Sequence, residues 1–197
     1  NEIGPDLPTT IFARSTNLKV LDLSDNRLRG SVEFAIPLTQ LQSLSVSENF
    51  IADIRHLRLP GLWRLQVSGN RLENVSSLHQ LPALQVLDAS DNRIAQIETG
   101  AFDGNAHLKA IRLDANRLST VSHLFQKLPH LNWLNVSANE ISVFDYAMLP
   151  PSLQWLDLHK NNITRLENYF SLESQLRITY VDASFNRIDE IGPQNVP

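Results

Sequence analysis

The feature of this sequence that most restricts its fold is an eleven-residue pattern that recurs along almost the whole chain. The pattern is LxxLxLxxNxL, in which other apolar residues replace some of the leucines. A unit of this kind cannot bury its apolar side chains alone, so its stability depends on stacking against neighbouring units. The pattern therefore predicts an elongated stack of repeats, a solenoid, instead of a domain built around one central core. Eight copies start near residues Leu18, Leu41, Leu62, Leu84, Leu108, Leu131, Leu153 and Ile178.

Each copy has the alternation of apolar and polar residues that is typical of a short β-strand. In the copy that begins at Leu84, Leu87 and Ala89 are two residues apart and therefore share one face of the strand. Val86 and Asp88 occupy the alternate positions, and we expect them to face outwards. Because the copies are equivalent, their strands are predicted to pair in one parallel sheet with a spacing of about 4.8 Å.

An asparagine follows the strand in every copy, and consecutive asparagines are 21 to 25 residues apart. A carboxamide both donates and accepts hydrogen bonds, so stacked asparagines can satisfy backbone groups that the turn after each strand leaves unpaired. We therefore predict a structural ladder inside the solenoid. Its members are Asn26, Asn49, Asn70, Asn92, Asn116, Asn139, Asn161 and Asn186.

The motif and its spacing are those of leucine-rich repeats. The predicted fold class is an α/β-type solenoid, a leucine-rich-repeat horseshoe with a parallel concave β-sheet and an irregular or short-helical convex side. Gly100-Ala101-Phe102, placed shortly before Leu108, resembles the extracellular class of these repeats. Aromatic residues of the return segments are expected to fill the convex side: Phe12, Phe102, Phe125 and Phe170.

Residues 1–197 are expected to form one solenoid without caps. Asn1 and Ile3 match the end of a preceding repeat, 25 residues before Asn26, and only a partial return segment follows Asn186. Terminal repeats of a solenoid normally present a polar outer face, and secreted leucine-rich repeats usually close with Cys-rich modules. The sequence contains no Cys. We therefore expect an interior part of a longer solenoid.

The last quarter of the sequence resembles insect Toll receptor ectodomains, with the long 18-wheeler-like subgroup as the nearest pattern. The resemblance rests on PPSLQWLDLHKNNI at 150–163, LENYF at 166–170, VDASFNRI at 181–188 and IGP at 191–193. It implies a single-pass membrane receptor of innate immunity or development, whose ectodomain lies on the extracellular side of the plasma membrane. It also implies a protein partner, which would be a Spätzle-type cytokine or another cell-surface receptor. The alternative is an extracellular adhesion or matrix protein of the Slit or small-proteoglycan type, which would use the same scaffold.

Charge and hydrophobicity argue against a nucleic-acid partner and against a membrane-spanning segment in this part of the chain. The formal net charge is −4 and the isoelectric point is near 5.8, with no cluster of Lys and Arg. Nucleic acid is therefore not an expected partner. No stretch approaches the roughly 20 apolar residues of a membrane span, so we expect the membrane anchor of the parent protein to lie elsewhere.

The sequence contains no recognisable catalytic or metal-binding motif. Its six histidines do not form an HExxH motif, and neither GxSxG nor GxxxxGK[ST] is present. We therefore predict that this chain is not an enzyme and that it needs no cofactor or metal ion. Enzymatic chemistry would have to reside in another part of the parent protein.

Two outward-facing positions of the strands carry the most informative functional signal. The residues just before the central strand leucine end in three aromatics, and the residues just after it are mainly acidic in the same repeats. Aromatics on a rigid concave sheet are typical anchors of protein interfaces, although stacking between neighbouring strands would explain them without any partner. We predict a partner-binding surface formed by Arg112, Trp133, Trp155, Asp157, Tyr180 and Asp182.

Three Asn-x-Ser/Thr sequons predict N-glycosylation at Asn74, Asn135 and Asn162. Asn135 is expected to face out of the concave sheet beside Trp133. A glycan there would obstruct a protein partner, so glycosylation at this asparagine and a concave interface partly exclude each other.

Overall fold

The computed structural model describes residues 2–168 and 176–191, and it has the predicted solenoid architecture. Its main element is an eight-stranded, all-parallel sheet in which successive repeats contribute neighbouring strands. The fold class predicted from the repeat is confirmed. The strands are β1 (Val20–Asp22), β3 (Ser43–Ser45), β5 (Arg64–Gln66), β6 (Val86–Asp88), β7 (Ala110–Arg112), β8 (Trp133–Asn135), β10 (Trp155–Asp157) and β12 (Tyr180–Asp182).

Two short two-stranded sheets lie in the segments that return from one repeat to the next. One pairs β2 (Arg29–Ser31) with β4 (Phe50–Asp53), and the other pairs β9 (Val143–Asp145) with β11 (Arg165–Glu167). The other regular elements of the return segments are short 3₁₀ helices of three to five residues, and the described ranges contain no α-helix. The convex side is therefore irregular with short helical turns, as the repeat class predicts. The 3₁₀ turns span Glu33–Ala35, Ser76–Gln80 and Tyr146–Met148.

The strand register explains why the repeat buries its leucines. The central residues of adjacent strands are aligned, as in Leu87 beside Ile111 and Ile111 beside Leu134, and all three are fully buried. Parallel strands keep equivalent residues side by side, so each apolar position of the repeat becomes a continuous column through the solenoid.

The return segments close the core with aromatic side chains. Phe102 and Phe125 are buried with ring centroids 5.9 Å apart, and Phe12 is half-buried against the same core. Phe170 lies outside the described residues, as do parts of the two sequence stretches that end at 170 and 193. Along the described part of the chain, no helix has the length and apolar character needed to span a bilayer.

Asn105 is a buried polar residue of the return segments that does not belong to the asparagine ladder. Asn105 is fully buried, and its amide nitrogen donates to the carbonyls of Leu78 and Leu81 at 2.8 Å each. Beside it, a side chain on Gly104 would collide with the carbonyl oxygen of His79. Asn105 thus connects the return segments of two repeats by hydrogen bonds at a point where their backbones are in close contact.

The residue before each ladder asparagine has a left-handed backbone conformation. In all eight repeats its φ lies between 49° and 61°, yet only Gly69 is a glycine. The conformation directs the amide N–H of this residue towards the next repeat, as in the 2.9 Å bond from Asp91 N to Asp114 O. The non-glycine members of this left-handed column are Asp25, Glu48, Asp91, Ala115, Ala138, Lys160 and Phe185.

Candidate partner-binding surface

The asparagine ladder fixes the spacing of the repeats that support any binding surface. The amide nitrogen of Asn92 donates to Ala89 O and Ser90 O within its own repeat and to Val67 O of the preceding repeat, at 2.9 to 3.2 Å. Its carboxamide oxygen accepts from Leu72 N, also in the preceding repeat, at 2.9 Å. All of these groups lie in the interior, where unpaired backbone groups would be costly.

The same bonds recur from one repeat to the next. The amide oxygen accepts from the backbone N–H two residues after the previous ladder position, at 2.8 to 3.1 Å. At the chain's first turn, Ile3 N supplies this donor to Asn26, so Ile3 stands where the last leucine of a repeat stands. Each ladder asparagine therefore links two successive turns of backbone.

The three concave aromatics form one continuous stack. Trp155 is in register with Trp133 on one side and Tyr180 on the other. The ring centroids are 4.4 Å and 5.2 Å apart, and each pair of rings is within 5° of parallel. Both faces of Trp155 are therefore covered by neighbours, which leaves the ring edges and the 44% exposed Tyr180 for contact with a partner.

Two carboxylates lie in the next outward column beside this stack. Asp157 and Asp182 are in register on β10 and β12. Burial raises the pKa of Asp157, and repulsion from Asp182 and Asp114 adds to the increase. The hydroxyl and backbone N–H of Ser184 donate to Asp182 at 2.6 and 2.9 Å and lower the pKa of that carboxyl.

Arg112 is the cationic member of the predicted surface. Its guanidinium contacts carboxylate oxygens of Asp88 and Asp114, each at 3.2 Å. The two acids flank its charge within the sheet, whereas Asp157 and Asp182 have no cation within salt-bridge distance among the described residues. The cation of the predicted surface is therefore already paired, and in the described part of the chain the two carboxylates beside the aromatic stack are not.

Two residues that were expected to face solvent are covered. Asn135 is only 8% exposed, and its side-chain oxygen accepts from Ser137 N at 2.9 Å. Asp88 is 9% exposed and accepts from the hydroxyl of Ser90. Both lie in the outward column of Asp157 and Asp182, but the expected exposure to solvent is wrong, because in-register side chains on the adjacent strands flank them; Arg112 is in register with both. Of the other sequons, Asn74 is exposed and Asn162 is half-buried.

Sequence reasoning missed two residues next to the predicted surface. His159 follows β10, and its Nδ1 lies 3.0 Å from the hydroxyl of Ser184. Its ring meets the ring of Phe185 edge-on, with centroids 5.1 Å apart. Phe185 is 78% exposed and belongs to the left-handed column. The sequence does contain a signal that could have identified Phe185: this position carries charged or small residues in the other repeats.

Known proteins resemble this chain in sequence over different lengths. Toll-like receptor 7 of Drosophila melanogaster is 46% identical over 84 residues, which cover 43% of this chain and 6% of the receptor. Lumican of Rattus norvegicus is 31% identical over 185 residues, which cover 89% of this chain and 53% of lumican. The chain thus spans a small part of the receptor and about half of lumican.

Solved structures share the fold. The leucine-rich-repeat domain of APL1 superposes with a TM-score of 0.78 at 24% identity, covering 97% of this chain and 56% of that chain. An internalin from Listeria monocytogenes superposes with a TM-score of 0.73 at 23% identity, covering 92% of this chain and 59% of that chain. At these identities the similarity concerns the fold alone.

Family models agree with the repeat geometry. The model described as "Leucine rich repeat" matches residues 82–141, and the model described as "Leucine Rich repeats (2 copies)" matches residues 16–59. Together the two matches cover more than half of the chain. Such solenoids are typically protein-interaction domains, and their curved stacks provide extended binding surfaces. With its motif, its asparagine ladder, its parallel sheet and these matches, the chain belongs to the leucine-rich-repeat family.

Proposed function

We propose that this chain is the ligand- or co-receptor-binding part of a Toll-like transmembrane signalling receptor and that it acts on the extracellular side of the plasma membrane. The observation that carries the proposal is the stack of Trp133, Trp155 and Tyr180 on the concave sheet. The predicted surface of six residues, which adds Arg112, Asp157 and Asp182 to the stack, contacts the partner.

Physical chemistry favours this surface as a protein interface. Aromatic side chains provide large contact areas with few rotatable bonds, so ordering them at an interface costs little entropy. Here the rings are already ordered by stacking on a sheet whose strands are fixed by the ladder. A partner therefore meets a surface that needs no rearrangement.

The charge beside the stack favours a basic partner. Asp157 and Asp182 face the concave side without a cation within salt-bridge distance among the described residues, and a basic side chain would relieve their mutual repulsion. By the Toll resemblance, the partner is a Spätzle-type cytokine or another cell-surface receptor.

Similarity to Toll-like receptor 7, at 46% identity over 84 residues, supports the receptor assignment. The alternative is an extracellular matrix protein of the small-proteoglycan type. It is favoured by the match to lumican, which is weaker in identity but extends over 89% of this chain. Both assignments use the scaffold as an extracellular protein-binding surface, and they differ in what the rest of the parent protein does.

Binding to an immobilised Spätzle-type cytokine, measured by surface plasmon resonance, tests the partner assignment. We expect Tyr180→Ala to weaken binding about tenfold, because the most exposed ring of the stack is lost. Val20→Ala is the matched control, since Val20 occupies the same column at the other end of the sheet and is 63% exposed. Equal affinities for the two variants would place the interface elsewhere, and absence of binding would favour the matrix alternative.

Glycan mapping tests the extracellular assignment. In protein secreted from insect cells, we expect mass spectrometry to find glycans at Asn74 and Asn162 and none at Asn135. Asn74 is exposed and Asn162 is half-buried, whereas Asn135 is covered and hydrogen-bonded. Bare Asn74 and Asn162 would count against a secreted ectodomain. The complete coding sequence of the parent protein distinguishes a receptor from a matrix protein. A receptor requires an apolar span of about 20 residues and a cytoplasmic signalling domain.

A further inference from the structure

We propose that the partner-binding surface continues from the concave sheet onto its rim, which is formed by the turns that follow β10 and β12. There Phe185 receives an apolar side chain of the partner. The partner segment then carries a basic side chain that lies over Asp157 and Asp182. This proposal rests on the proposed function and extends it to a specific rim residue and a specific partner chemistry.

The outward direction of Phe185 is a property of its turn. Its side chain is 78% exposed, and interior members of the left-handed column, such as Asp91, Ala115 and Lys160, are exposed as well. The conformation shared by these residues directs their side chains away from the core in the middle of the solenoid too. The outward direction of Phe185 is therefore shared with interior repeats of the solenoid.

Phenylalanine is an unfavourable choice for this backbone conformation. Phe185 has a φ of 54°, a region in which a bulky side chain is strained and which glycine adopts freely, as Gly69 does at the equivalent position. The ring also has little packing that would offset the strain, because its ring contact is the edge-on approach to His159. A strained, exposed aromatic side chain is the type of feature that function retains against stability.

Phe185 is connected to the aromatic stack without a gap. His159 contacts the Phe185 ring, and the backbone N–H of His159 donates to Asp157 at 2.9 Å. Asp157 in turn lies in register with Asp182, two residues after Tyr180 on β12. Tyr180, the two carboxylates, His159 and Phe185 therefore form one strip that passes from the sheet to the rim.

The charges along this strip fix the orientation of the partner. The two carboxylates lie on the concave side, whereas the neighbour of Phe185 in the left-handed column is Lys160, which is exposed. Lys160 disfavours a second cation at the rim, so the apolar side chain of the partner belongs there and the basic side chain belongs over the sheet.

Selection from a random peptide library on the immobilised chain, followed by affinity measurements on the selected consensus peptide, tests the proposal. We expect the consensus to combine a basic residue with a nearby apolar one. Phe185→Gly is expected to weaken its affinity about fivefold or more while the melting temperature stays equal or rises, because glycine relieves the left-handed strain. The control Ala115→Gly changes an exposed member of the same column and should leave the affinity unchanged.

The outcomes separate this proposal from the proposed function. Unchanged affinity for Phe185→Gly together with weaker binding by Tyr180→Ala would overturn the rim proposal and leave the concave interface in place. A lower melting temperature of Phe185→Gly with unchanged affinity for the consensus peptide would show that Phe185 only supports the fold. A consensus without basic residues, or no enrichment of peptides, would also overturn the rim proposal, whereas the cytokine assay still decides the proposed function.

Discussion

At the scale of single residues, the ladder asparagines have the largest predictable effect on stability. Replacing Asn92 by Ala removes four side-chain hydrogen bonds and leaves Leu72 N–H and Val67 C=O without these partners in the interior. We expect a loss of about 3 kcal/mol in the free energy of unfolding, measured by urea denaturation. Asn132→Ala is the matched control, because Asn132 is exposed and its effect should be within about 0.5 kcal/mol. Equal losses in the two variants would contradict the role of the ladder.

The second prediction at this scale concerns Asp157 and pH. Its pKa is raised in the folded state, so the corresponding stabilisation is present below the unfolded pKa and is lost as the pH rises through the folded pKa. At pH 7 the ionised carboxylate therefore destabilises the fold. Asn at this position keeps the acceptor for His159 N–H, as Asn135 does for Ser137 in the preceding repeat.

We therefore expect Asp157→Asn to raise the urea midpoint at pH 7. The difference from the unmodified chain should shrink as the pH falls through the raised pKa towards 3.8. Asp182→Asn is the opposite control, because the lowered pKa of Asp182 means that its ionised form stabilises the fold. A difference for Asp157→Asn that grows on acidification would contradict the assignment.

At the scale of elements, the stack connects β8, β10 and β12 through side chains as well as backbone bonds. Trp155 has two stacked neighbours and Tyr180 has one described neighbour. We expect Trp155→Ala to lower the free energy of unfolding by about 2–3 kcal/mol and Tyr180→Ala by about 1 kcal/mol, because each aromatic pair adds stability beyond its buried area. Trp155→Phe should recover most of the loss in the urea titration. A larger loss for Tyr180→Ala would show that the stack does not brace the sheet.

At the scale of the whole molecule, stability depends on contacts between neighbouring repeats. Ile111, in the middle of the sheet, is fully buried between Leu87 and Leu134. Ile111→Ala is expected to cost about 2–5 kcal/mol and to increase hydrogen exchange in β6 and β8 more than in β1, since energetic effects in a solenoid pass through nearest neighbours. Ala110→Ser, an outward change on the same strand, serves as the control. Equal increases in exchange along the whole chain would indicate one global unfolding unit instead.

The sequence by itself determined the solenoid, the spacing of its repeats, the parallel sheet and the positions of the ladder asparagines. These features follow from a local pattern that is copied along the chain, because stacking equivalent units places equivalent residues side by side. The buried column through Leu87, Ile111 and Leu134 and the role of Asn92 in bonding backbone groups of the turn can therefore be predicted from the pattern alone, whereas its individual partners come from the structure.

Only the tertiary structure decided how residues of different repeats cover one another. Asn135 is buried because of its neighbours on β7 and β10, and the faces of Trp155 are covered by rings that lie 22 and 25 residues away in the sequence. The left-handed residues before the ladder asparagines likewise donate their backbone N–H to the next repeat, from Asp25 to Lys160, and charged and small residues all adopt this conformation. These features depend on the positions of atoms in neighbouring repeats. The alternation of apolar and polar residues within one repeat does not determine those positions.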